Sequence, residues 1–201
     1  MSGVHRVARR AAYVLLAAGL LAVGYSAYVV GAARVYQAVE QHRFEETSAQ
    51  QASVRSTKAA VAVAAAPVEG GLVGEMQIPR LGLTAMVVQG DSAAILRRAV
   101  GHLADTALPG ESGNVVLAGH RDTFFRPLRL LRVGDAITMK TRNGDFEYLV
   151  ESTAVVPPTD VRVLEPTGDR TLTLITCYPF YYVGPAPDRF IVRARQTAAP
   201  R

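Results

Sequence analysis

Between Arg10 and Arg34 the chain carries no charged residue: Ala11 to Ala33 is a run of 23 built mainly on Ala, Val, Leu, Gly and Tyr. At about 1.5 Å per helical residue it spans about 35 Å, against roughly 30 Å for the hydrocarbon core of a bilayer. This is the strongest single signal in the sequence, and it predicts a transmembrane helix. Tyr13, Tyr25 and Tyr28 lie towards its ends, where amphipathic rings suit the interface. His5, Arg6, Arg9 and Arg10 precede it and predict a cytoplasmic tail over residues 1–10. The bias is modest, because Arg34 and Arg43 follow, offset by Glu40, Glu45 and Glu46. Gly31-Ala32-Ala33 offers small residues to a signal peptidase. The run is longer than the roughly 7–15 residues of a signal peptide's apolar region, which favours an uncleaved anchor over 11–33. On either reading the remaining chain leaves the cytoplasm. The expectation is a single-pass protein of the cytoplasmic membrane with an extracytoplasmic domain.

Charge follows the same division. Of the 22 Lys and Arg in 201 residues, seven lie in residues 1–60 against three acids, and fifteen lie in 61–201 against fourteen. The net charge of +5 therefore speaks of membrane topology, and no nucleic-acid partner is expected. With 49% hydrophobic and 19% charged residues, the chain is not a disordered polar polymer. A single cysteine excludes an intrachain disulfide framework and any zinc site built on several thiolates.

Residues 34–70 read as a stalk. Arg34 to Phe44 can continue the helix, but Glu45 to Gly71 becomes low-complexity Ser, Gln, Ala and Val ending in Pro67 and Gly70-Gly71, a linker composition. From residue 71 to 196 the texture changes to short β-like runs between turn signals. Strands are expected at Met76–Ile78, Leu83–Val88, Asn114–Ala118, Ile137–Arg142, Asp145–Val150, Thr171–Thr176 and Arg189–Arg195. Asn143-Gly144 favours a two-residue type I′ hairpin between two of them. A short helix is expected from Ser92 to about Val100, and one helical turn over Arg126–Leu131. Seven or eight strands with so little helix argue for an all-β domain, a small closed barrel or sandwich. Residues 197–201 are a C-terminal tail.

Cys177 is the first candidate for chemistry. An odd thiol in such a domain bridges to another molecule, lies inert in the core, or reacts. Its place at the end of a strand, before Tyr178-Pro179-Phe180, favours the last. A reactive thiol needs a base or cation beside it. His5 and His42 fall in the tail and stalk, and His102, just past the expected helix, reads as a surface or capping side chain. His120 ends the run Val115 to Gly119, so it too sits where a strand passes into a loop; the competing reading is an isolated hydrogen-bonded histidine. Arg189 follows Cys177 by twelve residues, and the Gly- and Pro-containing stretch Pro179–Asp188 can return an adjacent strand. A guanidinium there can stabilise an oxyanion, or it is one more exposed strand arginine like Arg193 and Arg195. Gly110-Glu111-Ser112-Gly113-Asn114 departs from a G-x-S-x-G elbow at its last position and leads into a strand. No H-E-x-x-H, P-loop or dinucleotide fingerprint is present.

Together these residues resemble the sortases, membrane-tethered cysteine transpeptidases of the bacterial surface. Thr171-Leu172-Thr173-Leu174-Ile175-Thr176-Cys177 is similar to the family's T-L-x-T-C signature. Ala118-Gly119-His120-Arg121 resembles its histidine segment, Arg189 stands where its arginine stands, and Ile78-Pro79 resembles its opening strand. The forms G-H-R-D-T-F-F-R-P-L and C-Y-P-F are most similar to class D sortases.

The resemblance implies an eight-stranded β-barrel with one or two short helices over residues 71–196, behind the N-terminal membrane helix. It implies that Cys177 attacks a Leu-Pro-x-Thr-like sorting motif at the C-terminus of a secreted protein. The thioacyl enzyme then passes its acyl group to an amine such as a peptidoglycan precursor or pilin lysine. His120 protonates the leaving amine and deprotonates the incoming one, and Arg189 positions the motif and holds the oxyanion. On the same resemblance Thr176 is expected to touch the substrate and Asp122 to steady the His120 loop, both as candidate substrate-binding residues. No metal and no cofactor are called for. A thiol peptidase, or a tethered β-barrel binding module with a structural Cys177, are the alternatives.

Overall fold

Short runs of alternating apolar residues leave each strand with a side to bury, and here eight of them close on themselves. The computed structural model describes residues 2–55 and 67–197. The strands are β1 (Leu72–Ile78), β2 (Leu83–Gln89), β3 (Val100–His102), β4 (Gly113–Ala118), β5 (Ala136–Thr141), β6 (Gly144–Val156), β7 (Arg170–Tyr178) and β8 (Asp188–Gln196). They form a closed barrel in the order β1-β2-β3-β4-β7-β8-β6-β5. β2 with β3 and β4 with β7 run parallel; the other neighbours are antiparallel. Closure leaves no sheet edge, the liability of any open β domain. The expected all-β eight-stranded barrel is the one observed.

Its interior follows the period of two. Val115 and Leu117 of β4, Ile137 and Met139 of β5, Leu172 and Leu174 of β7, and Val192 and Ala194 of β8 belong to one buried cluster. The intervening residues of β4, β7 and β8 face outward by the pleat. Part of that outer face is also covered. Thr173 gives its hydroxyl proton to Asn114 Oδ1 at 2.6 Å, and Asn114 Nδ2 donates to the carbonyls of Val163 (3.0 Å) and Glu165 (3.2 Å). These bonds fix the β6–β7 connection, with its single turn Val161–Leu164, across the outside of the sheet.

Three local expectations are corrected. The helix foreseen over residues 92–100 is four residues long, Ala93–Leu96, and Ser92 makes no side-chain cap hydrogen bond. Val100 to His102 instead pairs with Val87 to Gln89, since a ladder outweighs an uncapped turn. His102 is consequently an interior residue, 1% exposed. The β5–β6 hairpin turns at Arg142-Asn143, with Thr141 opposite Gly144. A type I′ turn needs positive φ at both central residues. Among the described residues only glycines have positive φ, and here Gly144 supplies it at +133°.

The N-terminal part is α1, Ser2–Arg55, a single helix of 54 residues. Within it Tyr13–His42 is long and apolar enough to cross a membrane. The helix runs past the expected change at Glu45 because no glycine or proline occurs between Gly31 and Pro67, and Glu, Gln and Ala are strong helix formers. The linker expected over 56–66 and the tail after Thr197 lie outside the described residues.

Candidate functional site

Three neighbouring strands, β4, β7 and β8, end at one level of the barrel. In the antiparallel β7–β8 pair Cys177 stands directly opposite Arg189, a distance of about 4.5–5.5 Å between Cβ atoms in such pairs. On the other side, the parallel β4–β7 register runs to Ala118 opposite Ile175, and the Gly119 amide still donates to the Ile175 carbonyl at 3.2 Å. Two more residues along each chain bring His120 level with Cys177. By the pleat, Cys177, His120 and Arg189 all belong to the outward row, against the inward Leu172, Leu174, Leu117 and Val192. All three are half-buried. The positions expected to carry the chemistry therefore form one row across three strands, histidine, cysteine, arginine.

The surroundings fix that row. Gly119 lies against the Phe125 ring, and a Cβ there would meet ring atoms at 2.8 Å, so the strand needs glycine just before His120. The His120 carbonyl accepts from the amides of Phe125 (3.1 Å) and Thr123 (3.4 Å), which turns the chain sharply after β4. Beneath Cys177, Thr176 is 2% exposed and gives its hydroxyl proton to the Gly119 carbonyl at 2.7 Å. That bond staples the cysteine strand to the histidine strand and turns the Thr176 hydroxyl inward. Asp122 is exposed in the turn after His120.

Arg189 differs from its neighbours on β8. Arg193 donates to the Val163 carbonyl at 3.2 Å, and Arg195 pairs with Glu151 (2.6 Å) and Asp169 (2.8 Å). Arg189 Nη1 donates to the carbonyls of Asp188 (3.0 Å) and Ala186 (3.4 Å), within the β7–β8 loop beside Cys177. Among the described residues, the β8 arginine level with the thiol makes no ion pair.

Arg121, next after His120, bridges the two loops around this row, a contact its position in the sequence does not announce. Its guanidinium donates to the carbonyls of Pro179 (3.1 Å), Tyr182 (2.7 Å) and Gly184 (3.1 Å). It thereby ties the histidine loop to the loop that follows the cysteine, and it lies over the Tyr182 ring at 5.8 Å. The only hint there is indirect: a loop with Pro179, Pro185 and Pro187 has carbonyls in need of donors, and an arginine follows the histidine. The peptide bond between Tyr178 and Pro179 is cis. Tyr178, Phe180 and Phe190 pack together with ring centroids 5.3–6.3 Å apart, giving the site an apolar wall.

His102 is placed elsewhere. It is buried between Gln89 Oε1 and the Ala107 carbonyl, both 2.9 Å from its ring nitrogens. Burial holds its pKa below the usual imidazole value, against smaller opposing effects of the Ala107 carbonyl and Glu111.

The Sortase domain family matches residues 76–197, the whole described barrel apart from most of β1. The chain belongs to the sortase family. Sortases are cysteine transpeptidases of the cell wall, and this chain is one of them. It is 33% identical over 188 residues to Sortase D of Bacillus subtilis, covering 90% of this chain and 95% of that one. It is 32% identical over 110 residues to Sortase A of Listeria monocytogenes, covering 53% and 49%. Among solved structures, a Sortase D5 transpeptidase of Clostridium perfringens superposes with TM-score 0.64 at 27% identity, covering 78% of this chain and 95% of that one. Sortase C of the same organism, solved with the C-terminal cell wall sorting motif, superposes with TM-score 0.60 at 32% identity, covering 66% and 74%. The family barrel is thus present in full.

Proposed function

We propose that this sortase is anchored by residues 11–33 and cleaves a Leu-Pro-x-Thr-like motif in secreted proteins, joining the acyl part to a surface amine. The observation that carries the reading is the outward row His120–Cys177–Arg189. Cys177 Sγ, as thiolate, attacks the scissile carbonyl, and the oxyanion so formed meets the Arg189 guanidinium in exchange for its loop carbonyls. The carbon–nitrogen bond breaks, the leaving amine takes a proton from the His120 imidazolium, and a thioacyl enzyme remains. An incoming amine then loses a proton to neutral His120, attacks the thioester and releases the thiolate. Atoms and charge return to the start. The sortase C seen with its sorting motif supports the substrate class.

The test uses the full chain in lipid vesicles with a Leu-Pro-x-Thr-Gly peptide, with and without peptidoglycan-derived amines or a pilin-type lysine peptide. The expected result is an amine-dependent conjugate at the threonine carbonyl, and a thioester on Cys177 detected by mass spectrometry when amine is withheld. Hydrolysis at a rate that amine leaves unchanged would support a thiol peptidase in place of the transferase.

A further inference from the structure

Beside the reactive row, the β7–β8 loop turns an apolar and aromatic tip to solvent. Tyr181 is 75% exposed, Tyr182 46% and Val183 96%, whereas loop tips are ordinarily small and polar. Two arginines stand next to it. Arg126 and Arg129 are three residues apart in the 3₁₀ turn Arg126–Leu130, where side chains at that spacing eclipse and share a face. Arg129 lies over the Tyr181 ring at 5.7 Å, so the basic and aromatic groups make one surface, which the 56%-exposed Leu130 extends. Arg129 Nη1 donates to the Arg126 carbonyl at 3.3 Å. Among the described residues, no carboxylate pairs with either arginine.

Exposed tyrosine and aliphatic side chains interleaved with unpaired guanidinium groups match the chemistry of a bilayer interface. Tyrosine rings settle at headgroup level, and arginine meets lipid phosphate. An acidic protein would satisfy the arginines but leave Val183 uncovered, and a plain apolar partner would leave the arginines without counter-ions. We infer that the β7–β8 tip, with Arg126 and Arg129, docks on the anionic lipid surface and turns the catalytic end of the barrel to the membrane. The inference rests on the proposed anchor over 11–33, which keeps the barrel within reach of lipid.

The chain has no tryptophan, so Val183→Trp introduces a single fluorescent reporter at the tip. A control reporter is Leu149→Trp. Leu149 pairs with Arg195, six residues along β8 from Arg189 and about 20 Å away. Each full-length variant is reconstituted into vesicles carrying brominated acyl chains, either of equal parts phosphatidylglycerol and phosphatidylcholine or of phosphatidylcholine alone. Flotation after an alkaline carbonate wash reports the anchor independently. The expected result is strong quenching of the Val183→Trp reporter in the anionic vesicles and little of the Leu149→Trp reporter. Adding Arg126→Gln and Arg129→Gln is expected to lower the docked-to-free ratio about thirtyfold, from the attraction of two arginines to an anionic surface. A chain that does not float overturns the anchor, and the docking with it. A chain that floats with both reporters alike, or with quenching that ignores lipid charge and the two substitutions, overturns the docking alone.

Discussion

At the scale of single residues, the proposed row His120–Cys177–Arg189 makes the thiol indispensable. Cys177→Ala removes the proposed nucleophile and is expected to abolish both thioester formation and alkylation by iodoacetamide while leaving the melting temperature nearly unchanged; turnover by the alanine variant would overturn the assignment. Gly119→Ala tests the support of His120. Its methyl group would meet the Phe125 ring at 2.8 Å, so the ring or the strand leading to His120 must give, and a misplacement of about 1 Å costs about a hundredfold in rate. The measurement is kcat/KM on the sorting peptide beside a thermal melt, which separates misplacement from unfolding. A third residue acts through pH. The folded chain holds His102 below the ordinary imidazole pKa by burial, so the unfolded chain binds a proton that the folded chain resists. Stability from this group is complete above about pH 7 and is lost as the pH falls through the unfolded value of about 6.5. His102→Gln should flatten a plot of melting temperature between those values and about pH 5. Asp135, held low by its hydrogen bonds from Arg80 and the Arg132 amide, contributes a separate loss that begins only near pH 4. The burial of His102 was not legible in the sequence, where it stands just past an expected helix and reads as a surface or capping side chain. Its burial depends on a three-residue strand whose partner, Val87–Gln89, comes from another part of the chain.

At the scale of elements, the site is a product of register. Cys177 opposite Arg189 follows from a hairpin loop whose proline and glycine content is visible in the sequence, which is why that pairing was legible beforehand. His120 opposite Cys177 was legible only as a possibility, because a parallel pair such as β4–β7 has no connecting turn to fix its register. Here Thr176 and Asn114 help to set it, through bonds to the Gly119 carbonyl and to Thr173. Thr173→Val would leave the buried Asn114 Oδ1 without its donor. The expected cost is about 1–3 kcal/mol in urea denaturation, with weaker attachment of the β6–β7 connection visible as faster hydrogen exchange there. Arg121 joins two loops by three carbonyl bonds, a geometry that suits a planar fork and not an ammonium group. Arg121→Lys is therefore expected to lower kcat/KM about ten- to hundredfold with little change in melting temperature. An equal fall in stability would make the arginine a general fold residue instead. Such a clamp has no sequence period, so only the spatial meeting of the loops reveals it.

At the scale of the whole molecule, the barrel and the apolar helix are separate solutions to separate solvents. The barrel, in water, buries one face of each strand in its own interior, whereas Tyr13–His42 has the length and composition to bury itself in lipid. The apolar run was legible at once because it needs nothing but length and the absence of charge, while closure of the barrel needed eight mutually consistent pairings. The proposed chemistry gives the division a purpose. If the proposed substrate is held by an apolar C-terminus and the amine is lipid-linked, both lie in the membrane plane, and tethering the enzyme there would raise their local concentration without any new contact. The consequence is a difference between substrates. A chain lacking residues 1–33 should process a soluble sorting peptide with kcat/KM close to that of the full chain, because the row of three side chains lies wholly in the barrel. On a substrate embedded in the same vesicles it should be slower by about a hundredfold or more. Competition between the two substrates in one vesicle suspension measures the ratio directly. Equal loss on both would place the N-terminal segment in the folding of the barrel, and no loss on either would remove tethering from the mechanism.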